Sequence, residues 1–368
     1  MTPSPELLQQ DAIELLKALI KIPSLSKEEE HTADLIAGFL QARGIEIIRI
    51  GHNICARNLH FDLQKPVILL NSHHDTVKAN NGYTLDPYDP IEEGTQLFGL
   101  GSNDAGGCLV ALIAAFIFFY DKTDLSCNLV LAATAEEEIS GSGGITSLWT
   151  NEVFNAYTGF LEHKVHWSAI VGEPTQLQMA VVERGLLVVD VRATGKAGHA
   201  ARKEGENALY KALEDIDWLR NYTFEKVSDF LGPVQLSVTS IETPNKQHNV
   251  VPDTCDFVID IRVNECYDMA SILHILQAHL HSRIKARSTR LRPSSIALNH
   301  PLVLAGTAMG LNCFGSPTTS DKALMPFPAV KMGPGDSARS HTANEFIFIP
   351  EIAEGIATYI QLLARIIL

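Results

Sequence analysis

Ile68-Leu69-Leu70-Asn71-Ser72-His73-His74-Asp75 begins as a run of apolar residues and ends in side chains that bind metals. Residues 67–70 are short and almost wholly apolar, the pattern of a central strand covered on both faces. Residues 129–133 and 169–171 repeat it, and the apolar stretch 108–120 between the first two has the length of a buried helix. Buried strands alternating with helices predict an α/β layered domain with a mixed central sheet flanked by helices. Each of these strands is followed by a motif carrying His, Asp or Glu, and in open α/β sheets ligands bind beyond the carboxyl ends of the strands.

Working outward, residues 7–22 have helical apolar spacing up to Pro23. Ser26 followed by Glu29 is a capping-box signature, which predicts a second helix running to Gly44. From about Met179 the pattern changes to a long strand (186–193), an amphipathic helix (207–219), two strands (234–241 and 255–263), a helix (270–284) and a last strand near Leu291. That succession matches a ferredoxin-like α+β unit. Residues 347–368 then hold a terminal apolar helix, so the chain returns to the first domain. The expected organisation is a discontinuous catalytic, metal-binding domain, 1–178 and 292–368, carrying an inserted dimerisation or lid domain at 179–291.

The 368 residues are 46% hydrophobic, enough for a large core. A net charge of −14 disfavours nucleic acid or an anionic membrane surface as partner, since both need clustered Lys and Arg. Glu6, Asp11 and Glu14 interrupt the first twenty residues, which therefore do not read as a secretory signal. The run 108–120 is short of the roughly 20 residues that a membrane-spanning helix requires. Six scattered cysteines without a CxxC pair suit reduced core thiols, and a cytoplasmic protein is expected.

Side chains alternate along a strand, so His73 and Asp75 point one way and His74 the other. An Asp close behind a His fixes the tautomer of a ligand imidazole; the plain alternative is a pair of solvent-facing histidines. Gly99-Leu100-Gly101-Ser102-Asn103-Asp104-Ala105-Gly106-Gly107 superficially resembles a dinucleotide loop, but Asp104 would repel pyrophosphate and suits a cation. In Thr134-Ala135-Glu136-Glu137-Glu138, successive carboxylates after a buried strand repel one another unless a metal or a raised pKa absorbs the charge. A solvated acidic loop is the ordinary reading. Glu173 follows the strand 169–171, and a loop from Gly333 supplies His341. Together these are two histidines and several carboxylates, a ligand set suited to zinc. A serine hydrolase is disfavoured, because neither Ser102 nor Ser142 sits in a Gly-x-Ser-x-Gly elbow.

These motifs, in this order around an inserted domain, together with Gly195-Lys196-Ala197-Gly198-His199-Ala200-Ala201 and Asn249-Val250-Val251-Pro252-Asp253, resemble the acetylornithine deacetylase and succinyl-diaminopimelate desuccinylase family of zinc amidohydrolases. The likeness covers nearly the whole chain. It implies that His73, Asp104 and Glu173 hold one zinc and that Asp104, Glu138 and His341 hold the other, with Asp104 bridging and Co2+ a possible substitute. It further implies that Asp75 orients His73, that Glu137 is the general base, that a cis peptide follows Asp104, and that His199 from a second subunit polarises the scissile carbonyl. A homodimer follows from that last role.

The family usually has Asp-Glu-Glu where this chain has Glu136-Glu137-Glu138. Alignment on Gly141 and Gly143 makes Glu137 the base and Glu138 the ligand; a shift by one would make them Glu136 and Glu137. His74 replaces a residue that is more often small or apolar. For the substrate carboxylate the resemblance favours Arg262 and Asn249, since Arg binds carboxylates bidentately; a strand-edge salt bridge is the alternative for Arg262. Arg184 and the 316–321 loop, with Ser320, are further candidates. The look is closest to N-acyl-ornithine deacylases of arginine biosynthesis, acting on a small N2-acetyl- or N2-succinyl-L-ornithine. Desuccinylation of diaminopimelate, dipeptide cleavage on the same site, and a non-catalytic metal-binding dimer are the competing readings.

Overall fold

The computed structural model describes residues 4–163, 166–202 and 204–368. The chain forms two compact units, one of Met1–Val181, Ser295–Phe314 and Ser320–Leu368, the other of Val182–Ser294 and Gly315–Thr319. The short return 315–319 belongs to the second unit, which the expected boundaries did not include. It is tied there by Arg184 N–H donating to Ser316 O and by the Thr319 hydroxyl donating to Arg184 O.

In the first unit, Val67–His73 lies between Asn128–Thr134 and Trp167–Val171 and runs parallel to both. Every residue of these three strands is buried, which is why they read as apolar runs without alternation. Ala329–Lys331 extends the sheet parallel to Trp167–Val171. Antiparallel Asn53–Arg57 and Ile47–Ile50 extend it on the other side, so the sheet is mixed. Parallel strands deliver their carboxyl ends to one edge. The segments after His73, Thr134, Val171 and Lys331 therefore leave the sheet together.

Helix Gly107–Phe119 packs on this sheet and on helices Pro5–Ile20 and Ile349–Ile367. It is apolar all round because nearly all its residues are buried. The stretch Ser102–Phe119 has the length and composition of a membrane span, yet 83% of it is buried inside the protein, as in a core helix.

The second helix begins at Glu30, and Glu29 at its N-cap makes no side-chain cap hydrogen bond. The capping box expected from Ser26 and Glu29 does not form. The Ser26 hydroxyl instead donates to Asp75 Oδ2 at 2.7 Å, and Glu29 accepts the amide of Glu136 at 3.0 Å.

The second unit runs strand, helix, two strands, helix, strand, and its sheet order is Gln235–Glu242, Thr254–Val263, Gly185–Thr194, Arg283–Ala286, all antiparallel. This is the ferredoxin-like arrangement. Inward residues such as Leu187, Val189, Phe257 and Ile259 pack against Ala212 and Leu276 of the two helices. The second of those helices stops at His279 rather than at 284, and the last strand comes earlier than expected. Buried Asp215 accepts the amides of His281 and Ser282 and turns the chain there.

Candidate metal centre

His73 is the last residue of its strand and is pinned on both nitrogens. Nδ1 lies 2.9 Å from the Asp75 carbonyl oxygen and 3.4 Å from Asp75 Oδ1. Nε2 lies 3.3 Å from Asp104 Oδ1, 3.8 Å from Glu173 Oε1 and 4.0 Å from Glu137 Oε2. His74 points the other way, with Nδ1 2.9 Å from Thr32 Oγ1 and Nε2 3.1 Å from His52 O. Burial lowers its pKa to about 4, so it sits neutral in the scaffold.

Asp104 lies in the turn Ser102–Gly106, and the Asp104–Ala105 peptide is cis. Its Oδ2 is 3.6 Å from His341 Nε2. Glu345, which the sequence did not flag, holds this turn from behind. Its Oε1 accepts the amides of Asn103 and Asp104 at 2.8 Å each, and Oε2 accepts that of Gly101 at 3.1 Å. Burial, reinforced by Asp104, pushes its carboxyl up to about 8.

The acidic loop resolves into distinct duties. Glu136 adopts a φ of 55° and turns its carboxylate onto the amide of Gly143 at 3.1 Å. Gly141 and Gly143 leave room for it, since a Cβ on either would collide with that carboxylate. Glu137 and Glu138 face the opposite way, with Glu138 Oε2 3.0 Å from His341 Nε2. Asp75 sets both, accepting the amide of Glu137 at 3.0 Å and that of Glu138 at 3.2 Å.

Two overlapping groups result, His73–Asp104–Glu138 and His73–Glu137–Glu173, whose ligand atoms lie within 4.8 Å of one another. Their electrostatics show the crowding. Loss of solvent raises Glu173 to about 8 and Glu137 well above the carboxylate range, against the opposing pull of His73. Burial alone would lower the His73 pKa, but hydrogen bonds to Asp104 and Asp75 outweigh it and hold it well above the ordinary range. The hydrogen bond to Glu138 lifts His341 to about 9. Carboxylates packed this closely around two imidazoles form a nitrogen and oxygen donor set that fits zinc.

Asp321 is a further buried acid, accepting the Thr134 hydroxyl at 2.8 Å and raised by burial to about 6. Its neighbour Ser320 caps the turn Asp321–Leu324 by accepting the Lys322 amide.

The remaining candidates belong to the second unit. His199 pairs with Val250 in a two-residue ladder, Ala200 N–H donates to Asn249 O, and Ala201 N–H donates to His199 Nδ1 at 3.2 Å. His199 and Asn249 are thus neighbours. Arg262 is ion-paired with Asp260 at 2.7 Å, the salt bridge that was its alternative reading. Arg184 is buried, with its guanidinium donating to the carbonyls of Pro233, Arg262 and Leu231, which engages it in the scaffold.

The profile of peptidase family M20/M25/M40 matches residues 69–365. The chain is 27% identical to succinyl-diaminopimelate desuccinylase 2 of a Ruegeria species over 286 residues, 73% of this chain and 69% of that protein. It is 27% identical to the succinyl-diaminopimelate desuccinylase of Buchnera aphidicola over 279 residues, 72% of each. In fold it is similar to an M20 family metallo-carboxypeptidase from Sulfolobus solfataricus, with a TM-score of 0.70 and 19% identity over 96% of this chain and 98% of that one. A dinuclear metal-binding M20 peptidase from Bacillus subtilis gives a TM-score of 0.68 and 16% identity over 98% of each chain. Because the match takes in every motif of the metal centre, the chain belongs to peptidase family M20/M25/M40 and is an amidohydrolase.

Proposed function

We propose that this chain hydrolyses the amide of an N2-acyl-L-ornithine, acetyl or succinyl, releasing ornithine and the free acid in cytoplasmic arginine biosynthesis. The observation that carries the hydrolytic reading is Asp104, which presents one oxygen to His73 and the other to His341. His73, Asp104 and Glu173 would hold one zinc, and Asp104, Glu138 and His341 the other, with cobalt able to substitute. When bound, zinc supplies Lewis-acid chemistry, acidifying water and polarising an amide carbonyl.

The chain's own groups do the rest. Asp75 fixes His73 through its Nδ1 side. Glu137, on the inner face of the acidic loop, takes the proton from the attacking water and delivers it to the leaving amine. The Ala201 amide occupies Nδ1 of His199, which leaves the proton on Nε2, the donor that a developing oxyanion needs. His199 would come from a second subunit. Support for a homodimer is the exposure of Tyr210 and Leu213 on one helix and Ile241 on an edge strand of the second unit. Asn249, beside His199, and Arg262, if released from Asp260, would receive the substrate carboxylate.

Desuccinylation of diaminopimelate is the second reading, favoured by the names of the curated relatives. The test is amine release from N-acetyl-ornithine, N-succinyl-ornithine and succinyl-diaminopimelate, with zinc-loaded and chelator-stripped protein. Zinc-dependent release from an ornithine substrate supports the proposal. Release from the diaminopimelate substrate alone overturns the ornithine assignment, and release from none overturns both.

A further inference from the structure

The segment that joins the first two helices, together with the first turn of the second, precedes residue 69, where the family match begins, yet it reaches three parts of the candidate centre. Ser24 O accepts the Thr76 amide at 2.7 Å, and Leu25 forms a parallel bridge with Thr76. The Ser26 hydroxyl donates to Asp75 Oδ2 at 2.7 Å. Glu29 is fully buried; its Oε1 accepts the amides of Lys27 at 2.7 Å and Glu136 at 3.0 Å, while Oε2 lies 2.7 Å from His52 Nδ1. Thr32 Oγ1 bonds both Ser24 Oγ at 2.8 Å and His74 Nδ1 at 2.9 Å.

The amides of Glu136, Glu137 and Glu138 all end on buried carboxylates, Glu29 for the first and Asp75 for the other two. Both carboxylates are in turn set by residues of this segment. A carboxylate that accepts several N–H and O–H donors is fixed in rotamer, and the backbone it accepts from is fixed with it. The local sequence would have used Ser26 and Glu29 to cap a helix. They do not cap it: Ser26 donates to Asp75 and Glu29 accepts from Glu136, both far along the chain, and departures from a local rule are expected at functional or strained sites.

We propose that the 24–32 segment is a clamp for the acidic loop, and that Ser26 and Glu29 are positioning residues for hydrolysis. Ser26 acts through Asp75 on the amides of Glu137 and Glu138, and Glu29 acts through the amide of Glu136. The claim rests on the proposed role of Glu137 in proton transfer and of Glu138 in metal binding.

The experiment compares Ser26→Ala, Ser26→Thr and Glu29→Gln in the full chain, by steady-state kinetics on whichever acyl amino acid the wild type turns over, by cobalt titration, and by thermal melting. Outer partners of metal ligands change affinity or activity about ten- to a hundredfold. Ser26→Ala is expected to lower kcat about tenfold with KM and melting temperature held, and to weaken cobalt binding; Ser26→Thr, which keeps the hydroxyl, restores both. Glu29→Gln keeps one oxygen for the Lys27 and Glu136 amides and turns its NH2 to His52 Nδ1, but it replaces a charged acceptor with a neutral one, and is expected to lower kcat and cobalt affinity several-fold. Wild-type kcat and cobalt affinity in both Ser26→Ala and Glu29→Gln overturn the clamp. So do losses that track the melting temperature and are not restored by threonine. A wild type inactive on every substrate overturns the proposed function instead, and the cobalt titration still decides the clamp.

Discussion

Asp104 faces two histidines at once, with Oδ1 3.3 Å from His73 Nε2 and Oδ2 3.6 Å from His341 Nε2. His73 leaves the sheet on a central strand and His341 arrives on a distant loop, so one carboxylate joins two segments far apart in the chain.

Asp104→Ala is therefore expected to abolish binding of both metal ions, whereas His341→Ala removes one. The measurement is metal content per chain after dialysis against buffered zinc. Retention of a full complement by Asp104→Ala would rule out the bridging arrangement.

The acidic loop gives a paired prediction. Glu137→Gln keeps the metal and lowers kcat by about 10²–10⁴, the range for removal of a general acid–base group. Glu136→Gln keeps an oxygen for the Gly143 amide and stays within a few fold of wild type. Equal losses in the two variants would mean that the loop works in the shifted frame.

Much of this was legible in the sequence because burial writes itself into residue types. Strands covered on both faces must be apolar, and the polar residues that follow them then stand out. His73, Asp104, Glu137, Glu138, Glu173 and His341 all converge as their motifs suggested. Supporting residues were harder to read. Glu345 reaches backbone amides 241 to 244 positions away, and an amide acceptor leaves no mark on the sequence of its donor. Ser26 and Glu29 gave a helix-start signal that the site had taken for another use. The overrun of the helix at 270–284 has the same origin, a turn enforced by Asp215 from another element.

Glu345→Gln tests that hidden support. Whichever way the amide is placed, its NH2 meets at least one of the amides of Gly101, Asn103 and Asp104, leaving buried donors face to face. An unsatisfied buried donor costs about 1–3 kcal/mol. The midpoint of urea unfolding should fall accordingly, and zinc affinity should weaken because the Asp104 turn loses its anchor. An unchanged midpoint with unchanged affinity would show the contact to be dispensable.

The cysteines separate by environment, and thiol chemistry can count them. Cys55, Cys108 and Cys255 are buried, while Cys127, Cys266 and Cys313 are partly exposed. Burial pushes the Cys55 thiol up to about 12 and the Cys108 thiol well above the usual range, where the reactive thiolate is scarce. Cys108 is further committed as a donor to Pro334 O at 3.2 Å, beneath the loop that leads to His341. Native protein at about pH 8 should label at Cys127, Cys266 and Cys313, and the other three should label once denaturant is added. Raising the pH within the stable range should speed the first group and leave Cys55 and Cys108 untouched, because closure of the core blocks reagent as well as ionisation. Peptide mapping after alkylation distinguishes the sites. Rapid native labelling of Cys108 would mean that the packing of helix Gly107–Phe119 against the metal-centre loops opens readily, and the rigid scaffold argued for the centre would fail with it.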